Sequence, residues 1–170
     1  PYALTLGATN NYIGLLSSLP TLVGSVAQII TLKIMKRFSR KKIVISGVLI
    51  QALMWIPIII IGYLYFFHNI SEKFAVNALL ITYSLMIFSG SIAGPAWSSW
   101  MKDIVNKKRG EYFSKRNEIT TIILLISLLV AGLTLNYFDN TNSYIGFAII
   151  FTIALIGRST ASYLFTKKYE

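Results

Sequence analysis

No cysteine occurs among the 170 residues, which excludes a disulfide framework and any thiolate metal site. The single histidine, His68, excludes a histidine-rich metal centre and reads as a solvated residue at a membrane interface. Acidic residues are equally scarce: Asp103, Glu111 and Glu118 lie in basic surroundings and are too few for a metal or acid–base site. No catalytic residue, metal ligand or cofactor site follows from the sequence. Charged residues of both signs make up only 13% of the chain, about half the share of a soluble domain. A basic n-region and a small-residue cleavage site are missing from the start, so the first residues are no signal peptide.

What is present instead is apolar. Hydrophobic residues make up 55% of the chain, and the mean hydropathy is +0.63. Lipid is therefore the expected solvent. The formal charge of +10 does not indicate nucleic acid. Its basic residues form short clusters at the ends of apolar runs rather than covering one polar face.

Five uncharged or nearly uncharged runs are long enough to cross a bilayer, at about residues 10–32, 43–67, 74–101, 119–138 and 144–165. Pro1 to Thr9 is too short to cross, since helix covers about 1.5 Å per residue against a ~30 Å hydrocarbon core. It reads as the tail of an upstream helix or its loop, so the chain is expected to be a fragment. In the first span Pro20 predicts a kink. Gly14 with Ser18, and Ser17 with Thr21 and Ser25, form two small-residue faces suited to close helix packing. The second span ends in an aromatic cluster, Tyr63 to Phe67, typical of a membrane interface. Gly90 and Gly94 give the third a GxxxG spacing that permits close backbone contact. Short connections between these spans predict an all-α antiparallel membrane bundle.

The polar breaks set the orientation. Lys33–Lys42 holds six basic residues and no acid; Trp97–Glu118, read as a loop, holds six basic and three acidic residues. With Arg158, Lys167 and Lys168 these put fifteen of sixteen basic residues on one side of the membrane, leaving Lys73 on the other. By the positive-inside rule the amino end is expected outside and the carboxy end in the cytoplasm of a plasma-membrane protein. Within Trp97–Glu118, Asp103 can exchange ion pairs with Arg109, Lys115 and Arg116. Gly110 reads as a helix terminator, and Glu111 with Lys115 as a favourable i,i+4 pair.

Two basic loops at this interval resemble the amino-terminal half of a major facilitator superfamily transporter, with the five spans matching that family's helices two to six. The family signature, roughly G-x-L-a-D-R-x-G-R-K, is carried by Ile34, Arg37, Arg40 and Lys41. Leu32, Lys36 and Ser39 stand where the family has glycine, aspartate and glycine. That aspartate helps latch the cytoplasmic face against the other half, and here it is a lysine. Trp97–Glu118 is similar to the family's acid-then-RG element, with Asp103 as the acid and Arg109-Gly110 as the RG.

The resemblance implies a secondary transporter that moves a small solute by alternating access, with a carboxy-terminal half as partner. It implies gating roles for Arg37, Arg40, Lys41, Asp103, Arg109, Gly110 and Arg116. In this family helices one, two, four and five line the central cavity, which selects Gln28, Ser84 and Ser127 from the mid-span polar residues as substrate contacts. Gln51 and Thr121 are also mid-span. The glycine–proline motif of drug antiporters is absent from SLLVAGLTLN, and so is a sugar-porter PESPR element. Arg158, the one charge inside a span, sits about 10 Å from the helix end and is expected to snorkel to the interface. Two alternatives stand beside transport: a non-catalytic subunit of a membrane complex and an integral membrane enzyme. Whether Asp103 finds its partner in this chain or in another half is not decided by the sequence.

Overall fold

The computed structural model describes residues 1–105, 108–139 and 142–168. Every regular element is helical: α1 (Tyr2–Thr5), α2 (Asn10–Ile34), α3 (Arg40–Leu53), α4 (Trp55–His68), α5 (Glu72–Ile104), α6 (Arg109–Asp139) and α7 (Ser143–Thr166). Taken together α3 and α4 form one crossing, so that five helices among the described residues are long and apolar enough to span a bilayer. The chain is an all-α, multi-pass integral membrane protein.

The break inside the second crossing has a local cause. Pro57 lacks the N–H that would bond to the Leu53 carbonyl, and the regular helix ends at Leu53 and resumes at Trp55. Met54 keeps a right-handed helical backbone, so the two pieces remain one span. Side-chain caps fix other helix starts. Ser39 and Ser71 accept from the backbone N–H of Lys42 and Phe74, each at 3.4 Å, and Asn142 accepts from Tyr144 at 3.1 Å. Asn69, in the left-handed region at φ 52°, ends α4.

Trp97–Glu118 is not the loop its charge predicts. Helix α5 continues to Ile104 and α6 begins at Arg109, leaving only 105–108 between them. Residues 106 and 107 of this stretch lie outside the described residues, as do 140, 141 and the last two. Charge marks where lipid ends, but a helix satisfies its own backbone and has no need to stop there. The same reasoning explains why the helices run past the expected spans, at both ends in all but the first, which starts at Asn10 as expected. Gly110 accordingly sits within the first turn of α6 and terminates nothing.

Packing centres on α5, which touches α2 along one side and α3 along another, while α7 lies against α3, α4 and α6. The face that α2 buries is Pro20, Gly24, Ala27 and Thr31, not the two predicted small-residue faces. Ser17, Ser18, Thr21 and Ser25 are exposed and return their hydroxyls to carbonyls four residues back, at 2.8–3.0 Å. The small side chain that lets α2 approach α5 is Gly24, where an added Cβ would lie 2.8 Å from Ser91 Oγ. Gly47 does the same for α3: a Cβ there would meet Ala93 Cβ at 2.8 Å and the Ser89 carbonyl oxygen at 2.9 Å.

Two buried clusters result. One gathers Tyr2, Leu6, Ile58, Val76 and Phe147 towards the short-loop end; the other gathers Val44, Ala96, Trp100 and Met101 towards the basic end. Tyr2 enters the first cluster and donates its hydroxyl to the Ile58 carbonyl at 2.7 Å, in space that Gly62 leaves open. Helix α6 buries no residue.

Candidate functional site

At the basic end three helix termini meet. Arg40, Lys41 and Lys42 open α3, where the positive end of the helix dipole disfavours cations. The last turn of α5 carries Asp103, where the negative end of its dipole disfavours an anion. Docking one terminus on the other relieves both. Arg40 forms an ion pair with Asp103, and the same Nη1 donates to the Ser99 carbonyl at 3.3 Å. The Asp103 side chain is 68% exposed, so the pair contributes about 0–1 kcal/mol to stability. Such a contact is cheap to break and remake.

Asp103 thus finds its partner in this chain, on the other basic segment rather than within its own. Arg109, a sequence candidate for that role, donates Nε to the Val105 carbonyl at 2.9 Å and ties the start of α6 to the end of α5. Glu111 pairs with Lys108 at 3.1 Å rather than with Lys115. Arg116 lies over the Trp97 ring, its Cζ 4.1 Å from the centroid. Phe113 meets the same indole edge-on at 6.1 Å. These contacts tie the start of α6 to α5 by a cation–π interaction and an aromatic pair. Arg37 is exposed and Lys41 half-buried at the same end of the bundle.

Above this cluster opens a cavity of about 690 Å³, shared by α2, α3, α5, α6 and α7. Gln28, Gln51, Ser91, Arg116 and Arg158 supply most of its polar lining, and among the described residues no carboxylate lines it. Gln51 lies across α5, with Nε2 donating to the Met86 carbonyl at 3.4 Å. Gly90 makes this possible, because a Cβ there would occupy the position of the Gln51 amide. The GxxxG pair therefore serves two separate ends. Gly90 accommodates a side chain, while Gly94 has nothing within 4 Å of a Cβ and opens onto the cavity.

Of the three residues selected as substrate contacts, Gln28 lines this cavity. Ser84 is buried within the bundle and donates to the Leu80 carbonyl at 2.7 Å. Ser127 is exposed on α6. Arg158, expected to reach for the interface, lines the cavity together with Arg116. Among the described residues it has no ion-pair partner. Sequence reasoning named Gln51 as mid-span without selecting it and gave Trp97 no role of its own. The signal that marks Gln51 is a polar side chain opposite glycine on a neighbouring helix, and Trp97 is marked by the cation and ring that α6 sets against it; both are visible only once the register between helices is known.

Among the described residues no group of three or more His, Asp or Glu side chains could hold a metal ion. In comparison with known families, residues 1–169 match the profile described as Major Facilitator Superfamily. No curated protein and no solved structure matches the chain.

Proposed function

The chain belongs to the Major Facilitator Superfamily, and from that membership in a family of membrane transporters we propose a secondary transporter that moves a small solute by alternating access. Its five spans act as helices two to six of the amino-terminal half, rocking against a carboxy-terminal half around the cavity. The amino end lies outside the plasma membrane and the basic helix ends face the cytoplasm.

One arrangement carries this reading: a polar cavity lined by five helices, in a bundle whose basic end holds a weak, exposed ion pair between two helix termini. The Arg40–Asp103 pair belongs to the closed cytoplasmic face. Arg37, Lys41, Arg109, Gly110 and Arg116 belong to the same basic helix ends and set how readily that face opens. A buried or cavity-lining cation is expensive in a membrane unless it is used. Arg158, with Gln28 and Gln51, is the group that meets solute.

The absence of cysteine allows a test that needs no knowledge of the solute. In the full protein, freed of any other cysteine, Gly94→Cys places one thiol in the cavity without a steric clash. Alternating access predicts that a membrane-impermeant maleimide reacts with it from either face of oriented vesicles. Reaction from one face alone sinks the mechanism. Orientation is read separately: Lys73→Cys should label in intact cells and Lys36→Cys only after permeabilisation. The reverse pattern would invert the topology.

Gly94→Leu gives a second test. The added side chain meets nothing within 4 Å at its Cβ, so thermal stability should shift by no more than about 0.5 kcal/mol, as at an ordinary surface site. Transport should nevertheless fall by about tenfold or more, because the cavity is narrowed at its floor. Wild-type transport by this variant would show that the cavity is not on the solute path.

A further inference from the structure

A second recess lies on the other side of the α3–α5 pair and shares none of the polar lining of the first. It holds about 440 Å³ and is walled by apolar side chains, including Ile50, Leu85 and Phe88, over a floor of Ser46, Gly47 and Ser89. Its lining runs along α3 from Lys42 to Met54. At 1.5 Å per residue that is roughly 18 Å, close to the ~15 Å depth of one leaflet of the hydrocarbon core. Small residues at the floor and large ones at the rim make a furrow, not a flat lipid-facing surface.

The charge at its ends is unequal. Lys42 stands at the mouth, the last of six basic residues in a segment with no acid. Asp103, which α5 brings to that segment, is engaged by Arg40. Among the described residues no carboxylate lines the recess, and at the Met54 end the lining is apolar. An occupant must therefore present an anionic group at the level of the membrane surface and an apolar chain reaching towards the bilayer centre. We propose that this furrow is a binding site for one acyl chain of an anionic phospholipid, whose phosphate is held by the Lys42 ammonium. Juxtamembrane basic clusters attract anionic headgroups, and a furrow beneath the cluster converts that attraction into a defined site. A zwitterionic lipid fits the furrow equally well but gains less from Lys42, because its own cation opposes the interaction.

Native mass spectrometry of the full protein tests this. It is released from detergent micelles containing equal amounts of phosphatidylglycerol and phosphatidylcholine. The wild type should retain one phosphatidylglycerol at least severalfold over phosphatidylcholine. Lys42→Gln should abolish that preference, and Lys42→Arg should keep it. Ser46→Phe fills the floor from an exposed position and should remove the bound lipid of either class. Inorganic phosphate added in excess should not displace the lipid, since it lacks the chain. Equal retention of the two lipids by the wild type overturns the proposal. So does an unchanged phosphatidylglycerol signal in both Lys42→Gln and Ser46→Phe, which would leave the furrow covered by another part of the protein or by a second copy. Both positions are exposed; unaltered gel-filtration profiles and melting curves establish that the variants are folded.

Discussion

Replacing Gly47 with leucine is expected to destabilise the protein more than any other single substitution at a helix crossing. A Cβ at this position already falls 2.9 Å from the Ser89 carbonyl oxygen and 2.8 Å from Ala93 Cβ. Both are fixed parts of α5, and neither can rotate away. Relief requires α3 and α5 to separate along the contact that organises the basic-end cluster of Val44, Ala96 and Trp100. Overpacking of this kind costs about 1–3 kcal/mol and more where backbone must shift. Against a total stability of ~5–15 kcal/mol this is a large fraction. For a chain of this size the melting temperature should fall by roughly 10 °C. Thermal unfolding of the full protein in lipid measures it, with Gly94→Leu, the same exchange at an open position of α5, as the control. Equal melting temperatures for the two variants would mean that the α3–α5 contact is not close.

The second large effect is expected at the ion pair, and there it should appear in transport rather than in stability. Asp103→Asn or Arg40→Ala removes a contact of at most about 1 kcal/mol, so melting should barely move. The same 1 kcal/mol, if the pair exists only with the cytoplasmic face closed, shifts the balance of conformations about fivefold. Cysteine at position 94 should then react roughly five times faster from the cytoplasmic side, and solute flux should drop. The exchange of charges, Arg40→Asp with Asp103→Arg, makes the sharper experiment. It puts an anion at the start of α3 and a cation at the end of α5, where each helix dipole favours it. Labelling should return to the wild-type rate or slower. A pair that serves only topology would leave every one of these rates unchanged.

The number of membrane crossings was legible in the sequence because lipid imposes it. An uncharged run of twenty or so residues has one stable fate in a bilayer, and its length is enough to identify it. The charged breaks were legible too, as the places where the chain leaves lipid. Their internal structure was not: Trp97–Glu118 turned out to be two helix ends, since water tolerates a helix as well as a loop. Boundaries failed there for a physical reason, while the spans themselves held.

Partnership between side chains lay beyond the sequence altogether. Arg40 and Asp103 were each singled out, but nothing along the chain says that residues sixty-three apart share a terminus. Proximity in sequence favoured Arg109 and Arg116, which the fold commits to the Val105 carbonyl and the Trp97 ring. Small residues misled in the same way. Period alone offered Gly14 and Ser18 as readily as Gly24 and Ala27, and only the rotation of α2 against α5 selects the second pair. Composition and hydropathy by themselves determined that this chain is a helical membrane protein, with its basic residues gathered at one end of its spans. Tertiary structure alone decided which faces meet, which ion pair closes the basic end, and that Gln51 and Arg158 share a cavity. Hydropathy measures each residue against its solvent, whereas register and rotation depend on contacts between residues far apart in the chain.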